Sequence, residues 1–246
     1  PELDKDGKVA LKPSDMLTYA IKTEEYVTNR KLKCGDTAFA AGMMFDIMVA
    51  VSVESFEEPK GFKDYVGEIY KHGLKTAMVA VELSKTQKSF NFAKYAFAAC
   101  LIHDLGKLAM DLLYPATATL SYIKFREDLG KKPVSRDARM YLEAKNFGLT
   151  HEYYSSIMTF RFELFRSFEK AVLCHHEPYL LKKDSKDLYQ LANVIALSSN
   201  IASNFRTPKD TNDPVYDAWF TPELKDFKVD RKTLLDVMTK LGREAF

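Results

Sequence analysis

Residues that break helices are scarce in this chain: 10 glycines and 9 prolines among 246 residues, most of them between segments of regular apolar spacing. Cysteine is scarcer still. Cys34, Cys100 and Cys174 form no C-x-x-C pair and leave an odd thiol, which argues against a secreted disulfide scaffold and for a reducing, cytoplasmic setting. Cys174 precedes His175 but reads as a small buried hydrophobe rather than a soft ligand. No apolar run reaches the roughly 20 residues a bilayer requires. The most apolar stretch, 38–53, carries Asp46 and reads as a buried helix, so no membrane insertion is expected. Neither sign of charge dominates, with 36 Lys and Arg facing 34 Asp and Glu for a formal +2. That balance, and the lack of any aromatic-basic repeat, argue against a nucleic-acid partner. The lysines around Asp184 are interrupted by acid and read as a solvated loop. The chain begins at Pro1 rather than methionine, which suggests a piece excised from something longer.

What is present is helical periodicity. Apolar residues recur at spacings of three and four over 14–28, 38–53, 62–86, 90–113, 136–147, 151–176, 186–205 and 230–243. In 62–86, for instance, Val66, Ile69, Tyr70, Met78, Val79 and Leu83 share one stripe. Strand alternation is scarce, so the fold class is all-α, a single helical bundle with a full core from its 46% hydrophobic residues. The irregular stretch 206–228, with Pro208, Pro214, Pro222 and the lone Trp219, is expected to pack back on the body before a last helix that Asp230 caps.

Histidine supplies the chemistry. All five histidines fall in ligand-like settings: His72, the pair His103-Asp104, His151, and the pair His175-His176. A single histidine is more often a core or surface residue than a ligand, but two adjacent ligand-type pairs in one chain argue for one metal site. His103-Asp104 ends the apolar run 96–102, so Asp104 faces burial, and an unpaired buried carboxylate is costly. A cation removes that cost, and two carboxylate oxygens can bridge two ions. The plain alternative is a helix-ending Asp104 paired with Lys107, with Gly106 as the cap. Glu68 lies four residues before His72 on the same helical face, a spacing that lets carboxylate and imidazole converge. His151 and His175 would stand roughly 36 Å apart on one continuous helix at 1.5 Å per residue, so both reach one site only if the segment breaks, within 161–167.

In this order, the residues H, H-D-x-G-K, H and H-H resemble the HD superfamily of metal-dependent phosphohydrolases, in particular its signalling branches, the HD-GYP and HDOD domains. The HDOD resemblance covers most of the chain: 38–53 is similar to the family's helix before the metal core, and 98–107 to its G-L-L-H-D-I-G-K. Glu143 to His151 is similar to its E-x(7)-H, 162–178 to its segment ending in H-H-x-P, and the tail from Phe227 to its final helix. The resemblance implies a helical segment over 1–35 and an HD/HDOD-like domain over 36–246. It also implies two or three divalent ions, Fe, Mn or similar, with Glu68, His72, His103, Asp104, His151, His175 and His176 as ligands and Asp104 and Lys107 as catalytic residues.

Two departures bear on function. No G-Y-P follows His175-His176-Glu177, and Leu197-Ser198-Ser199-Asn200-Ile201-Ala202 stands where the HD-GYP pattern has Leu-Ala-Asp-x-Ile-Ala. Ser199 or Asn200 would be a weak neutral ligand. Two classes follow. One is a metal-dependent phosphodiesterase acting on a cyclic dinucleotide such as cyclic di-GMP, or on another signalling nucleotide. The other is a catalytically inactive signalling module that binds a protein partner or a nucleotide. The periodicity predicts a far-ultraviolet circular dichroism spectrum dominated by helix, and a mainly sheet spectrum would contradict it.

Overall fold

Helix α1, Phe62–Thr86, is the longest element of the computed structural model, which describes residues 62–86, 93–113, 122–130, 135–161, 168–222 and 229–244. The helices expected over 14–28 and 38–53, and the division at 35/36, lie outside the described residues. After α1 come α2, Ala93–Ile102, α3, Leu105–Leu113, α4, Tyr122–Gly130, α5, Arg136–Phe147, and α6, His151–Arg161. The chain continues through α7, Glu169–Leu173, a 3-10 turn over Pro178–Leu181, α8, Lys186–Ser203, α9, Val215–Trp219, and α10, Arg231–Glu244. No strand occurs among the described residues, and the fold is all-α.

Two expected helices are divided, and the divisions matter. The helix read over 90–113 is two helices with a turn at His103-Asp104, where the Lys107 N–H donates to the Asp104 carbonyl at 3.0 Å and starts α3. Apolar spacing runs through this turn unbroken, which is why periodicity alone joined the two. Gly106 is consequently in the first turn of α3 rather than a cap that ends a helix. The helix read over 151–176 stops at Arg161 and restarts after Phe168; residues 162–167, where the break was expected, are not described. Helix α4 carries the exposed Lys124, Glu127 and Asp128 with little apolar face, and the sequence reading passed over it.

From Ala96 to Ile102, α2 has no polar face because it has no solvent to meet. Ala96, Phe97, Ala98, Ala99, Cys100, Leu101 and Ile102 are all buried, and α2 packs against α1, which in turn packs against α8. A second cluster fills the carboxyl-terminal end of α1, where Met78, Val79 and Leu83 meet Leu234 and Met238 of α10 and the fully buried Tyr216 and Trp219 of α9. The stretch after α8 is therefore packed as expected, with a short helix in it. Asp213 holds its entry, accepting from the Arg206 guanidinium and from the backbone N–H groups of Lys209 and Val215. Asp230 caps α10, accepting from the Thr233 N–H at 2.8 Å.

Two glycines let backbones touch where the histidines lie. A Cβ on Gly73 would stand 2.6 Å from the Leu101 carbonyl oxygen, and one on Gly106 would stand 1.9 Å from that of His151. The Gly106 N–H also donates to Ser155 Oγ at 2.8 Å, fixing α3 to α6. Gly106→Ala is expected to cost about 3 kcal/mol or more, since backbone must move to admit the methyl group. A urea midpoint equal to that of the unmodified chain would contradict this packing.

Candidate metal centre

The turn between α2 and α3 delivers His103 and Asp104, α1 delivers His72, the start of α6 delivers His151, and the turn after α7 delivers His175 and His176. These six residues are brought together. Ligand atoms of His72, His103 and Asp104 lie within 4.8 Å of one another, as do those of His151, His175 and His176. Asp104 stands between the groups: Oδ1 is 3.4 Å from His151 Nε2, while Oδ2 is 3.7 Å from His72 Nε2 and 3.6 Å from His103 Nε2.

Hydrogen bonds outside the cluster fix how the rings present themselves. The Nδ1–H of His103 donates to the Cys100 carbonyl at 2.7 Å, and that of His175 to the Val172 carbonyl at 2.7 Å. Nδ1 of His151 lies 2.7 Å from Oε2 of the fully buried Glu143, which also accepts from the His151 backbone N–H. With Nδ1 carrying the proton, each Nε2 keeps its lone pair and points inward. Buried Nε2 atoms of His103 and His175, and Oδ1 of Asp104, have no hydrogen-bond partner. His151 Nε2 and His176 Nε2 face each other at 3.2 Å. Two nitrogens bound to one ion at about 2.1 Å would be roughly 3.0 to 3.4 Å apart, so this spacing fits a shared cation. Orphaned inward lone pairs at such distances are what a metal site without its ion consists of, and the residues fit the group.

Charge is unevenly placed. Burial penalises the Asp104 carboxylate, but Lys107 Nζ at 2.5 Å, together with His103, His151 and His72, outweighs that penalty and holds the group well below the usual carboxylate range. Burial pushes His72 and His103 down to about 4 and His175 to about 3, and lowers His176 as well, so these rings are neutral at neutral pH. His151 runs the other way: burial lowers it, and the carboxylates of Glu152 and Glu143 more than offset that.

The remaining sequence candidates fall around this cluster. Lys107 pairs with Asp104, as the plain alternative had it. Glu68 sits at the rim of the adjoining cavity, its side chain 65% exposed and 3.4 Å from Arg126, outside both groups of approaching ligand atoms. Cys174 is half-buried against the core. Ser199 Oγ lies 3.1 Å from His72 Nε2, and the Asn200 amide donates to the Trp219 carbonyl at 3.0 Å. Two carboxylates were given no role in the sequence reading. Glu143 orients His151, and its signal was the E-x(7)-H spacing itself. Glu152, 2% exposed with neither oxygen hydrogen-bonded, lies 3.5 Å from His176 Nε2 and 3.6 Å from His151 Nδ1.

A family model described as HDOD domain matches residues 30–178, more than half of the chain. Neither the curated proteins nor the solved structures include a match. No helix among the described residues is long and apolar enough to cross a membrane.

The four depressed histidines give the metal-free chain a pH signature. A histidine whose folded pKa is below its unfolded value of about 6.5 binds more protons when unfolded, so its contribution is lost as pH falls. His151 does not act in this window, since the stability its raised pKa adds is fully present below about 6.5 and stays constant there. The urea midpoint of chelator-treated protein should fall between about pH 6.5 and pH 4. A flat midpoint over that window would show that the rings are not held neutral.

Proposed function

The chain belongs to the HDOD-domain family, and on that premise we propose that it is a metal-binding signal-transduction protein that hydrolyses a phosphodiester bond of a signalling nucleotide, such as cyclic di-GMP. One observation carries this reading: three Nδ1 atoms are engaged by Cys100, Val172 and Glu143, which leaves the Nε2 atoms of His103 and His175 buried without a partner and that of His151 3.4 Å from the buried Asp104 carboxylate. Divalent ions such as Fe or Mn would be held by His72, His103, Asp104, His151, His175 and His176. They would supply Lewis-acid stabilisation of charge on the phosphoryl group and a nucleophile at neutral pH. Asp104 turns one oxygen to each group of histidines and so bridges the two halves of the centre. Lys107, with a side chain 18% exposed on the cavity side, neutralises a substrate oxygen once cations take over Asp104. Glu68 would join the ligands only by leaving Arg126.

A specific feature favours the second reading, a module without turnover that binds a nucleotide or a signalling protein. Ser199 hydrogen-bonds His72 where the HD-GYP pattern places an aspartate, which leaves the His72 half of the centre one carboxylate short.

Elemental analysis of protein purified without chelator, with a panel of cyclic and linear nucleotides run on the same sample, separates the readings. Stoichiometric metal with hydrolysis is expected. Asp104→Asn keeps the side chain's shape but removes the charge shared by both halves, so turnover should drop at least about 100-fold while helix content holds. Unchanged hydrolysis in a metal-replete Asp104→Asn protein would remove Asp104 from its bridging role. A metal-replete chain inert across the panel would establish the module.

A further inference from the structure

Beside the histidine cluster opens a cavity of about 410 Å³, within the size range of small-molecule sites. His72, Asp104, His151 and His176 contribute to one side of it, and the basic residues Lys107, Arg126, Arg136 and Arg139 to the rest. Four cations against the carboxylates Glu68 and Asp104 is a local excess, in a chain whose 36 basic and 34 acidic residues nearly cancel. A cleft lined by one sign of charge concentrates ligands of the other.

The basic residues differ in how far they are committed: Arg136 pairs through Nε and Nη2 with Asp137 Oδ1, at 3.2 and 2.9 Å. Lys107 is taken by Asp104, but Arg139 pairs with no carboxylate among the described residues. Arg126 lies with its guanidinium 3.8 Å over the Tyr65 ring, which sets the plane of the fork, and its Nε is buried without a partner. Its contact with Glu68 is long, at 3.4 and 3.5 Å. Arg136 donates from Nη1 to the His176 carbonyl at 2.6 Å, tying the start of α5 to the histidine pair. The side chains thus come from α4 and α5 and line the same cavity as the histidine cluster. Planar guanidinium forks match phosphate oxygens two at a time, and a fork held by stacking loses less freedom on binding.

We infer that Arg126 and Arg139 form a binding site for a second phosphate group, so that the ligand of this centre is a small molecule carrying at least two phosphates. The inference rests on the proposed reading in placing the first phosphate at the histidine cluster. The second lies at the arginine rim, and Arg136 links the two places through the His176 backbone.

Isothermal titration of the full chain, loaded with manganese, with guanosine monophosphate and guanosine diphosphate as probes tests this. The diphosphate should bind at least about tenfold tighter, the ratio expected of one additional charge-assisted contact. Arg139→Ala, at an exposed position, should erase most of that difference and leave monophosphate binding within about twofold, the loss being confined to the second phosphate. Arg126→Ala should do the same. Because Arg126 also stacks on Tyr65, its urea midpoint is measured alongside, and Arg139→Ala decides the matter where that midpoint falls. Equal affinity for the two probes, or a preference that survives Arg139→Ala, overturns the inference. Metal analysis of the same samples separates the two proposals. Metal-free protein that prefers the diphosphate through Arg139 sinks the metal reading and supports the arginine site. Metal-loaded protein without the preference sinks the arginine site alone.

Discussion

Asp104 places a carboxylate inside a helical bundle, 4% exposed, where a lone charge would cost several kcal/mol. The surroundings are organised around that cost. Lys107 reaches back one turn to one oxygen, while the other faces His151 without a hydrogen bond. Two further carboxylates, Glu143 and Glu152, are buried close by, on the far side of His151. Three buried acids face Lys107 and His151, the one ring whose pKa is raised, and the other four imidazoles, being neutral, cancel none of their charge. Glu143 is accounted for by its two hydrogen bonds to His151, but Asp104 Oδ1 and both oxygens of Glu152 are not satisfied by protein. A buried acidic excess with orphaned oxygens and inward lone pairs is electrostatically incomplete as protein alone, which is the physical ground for assigning cations to it.

Packing decides that these groups meet. The residue after His72 is Gly73, pressed on the Leu101 carbonyl, and the residue two after Asp104 is Gly106, pressed on the His151 carbonyl. The contacts join α1 to α2 and α3 to α6, so three of the four segments that carry these residues are spaced by backbone rather than by side chains. Side chains can hop between rotamers, but a backbone-to-backbone contact has no such freedom. The same rigidity extends along α2, where every side chain from Ala96 to Ile102 is buried, so that the turn carrying His103 and Asp104 is held in place.

Much of this was legible in the sequence, and the illegible part has physical causes. The all-α class and the spans 62–86 and 136–147 follow from periodicity, because long amphipathic helices are what periodicity reports. The convergence of the six ligand-type residues was legible from their residue types and order. The turn at His103-Asp104 was not, because burial on both sides of it keeps the apolar pattern continuous. Helix α4 was not, because a mostly exposed, charged helix has no stripe to detect. Glu68 shows the limit of spacing arguments: i, i+4 places it on the face of His72, but a long side chain at the surface goes to whatever cation is in reach, here Arg126. No motif or spacing marks the arginines at 126, 136 and 139, and only the fold gathers them on one cavity.

The two halves of the centre are not equivalent, and the difference lies where the family match stops. That match ends at residue 178, before α8, the helix that supplies Ser199 and Asn200. On the His151, His175 and His176 side, nitrogens approach to 3.2 Å, and two of the three rings are held by hydrogen bonds at Nδ1. On the His72 and His103 side, the approaches to Asp104 are 3.6 and 3.7 Å, and the neighbouring group is a neutral hydroxyl bonded to His72. The Asn200 amide nitrogen donates to the Trp219 carbonyl, which leaves only a neutral Oδ1 to that residue. A hard divalent ion gains most from anionic oxygen, so replacing a carboxylate by a hydroxyl weakens that half selectively. Among the described residues Asp104 is the one carboxylate close to His72 and His103, whereas on the other side Glu152 also stands 3.5 Å from His176 Nε2, so the two groups of histidines differ in nearby anionic oxygen as well as in spacing.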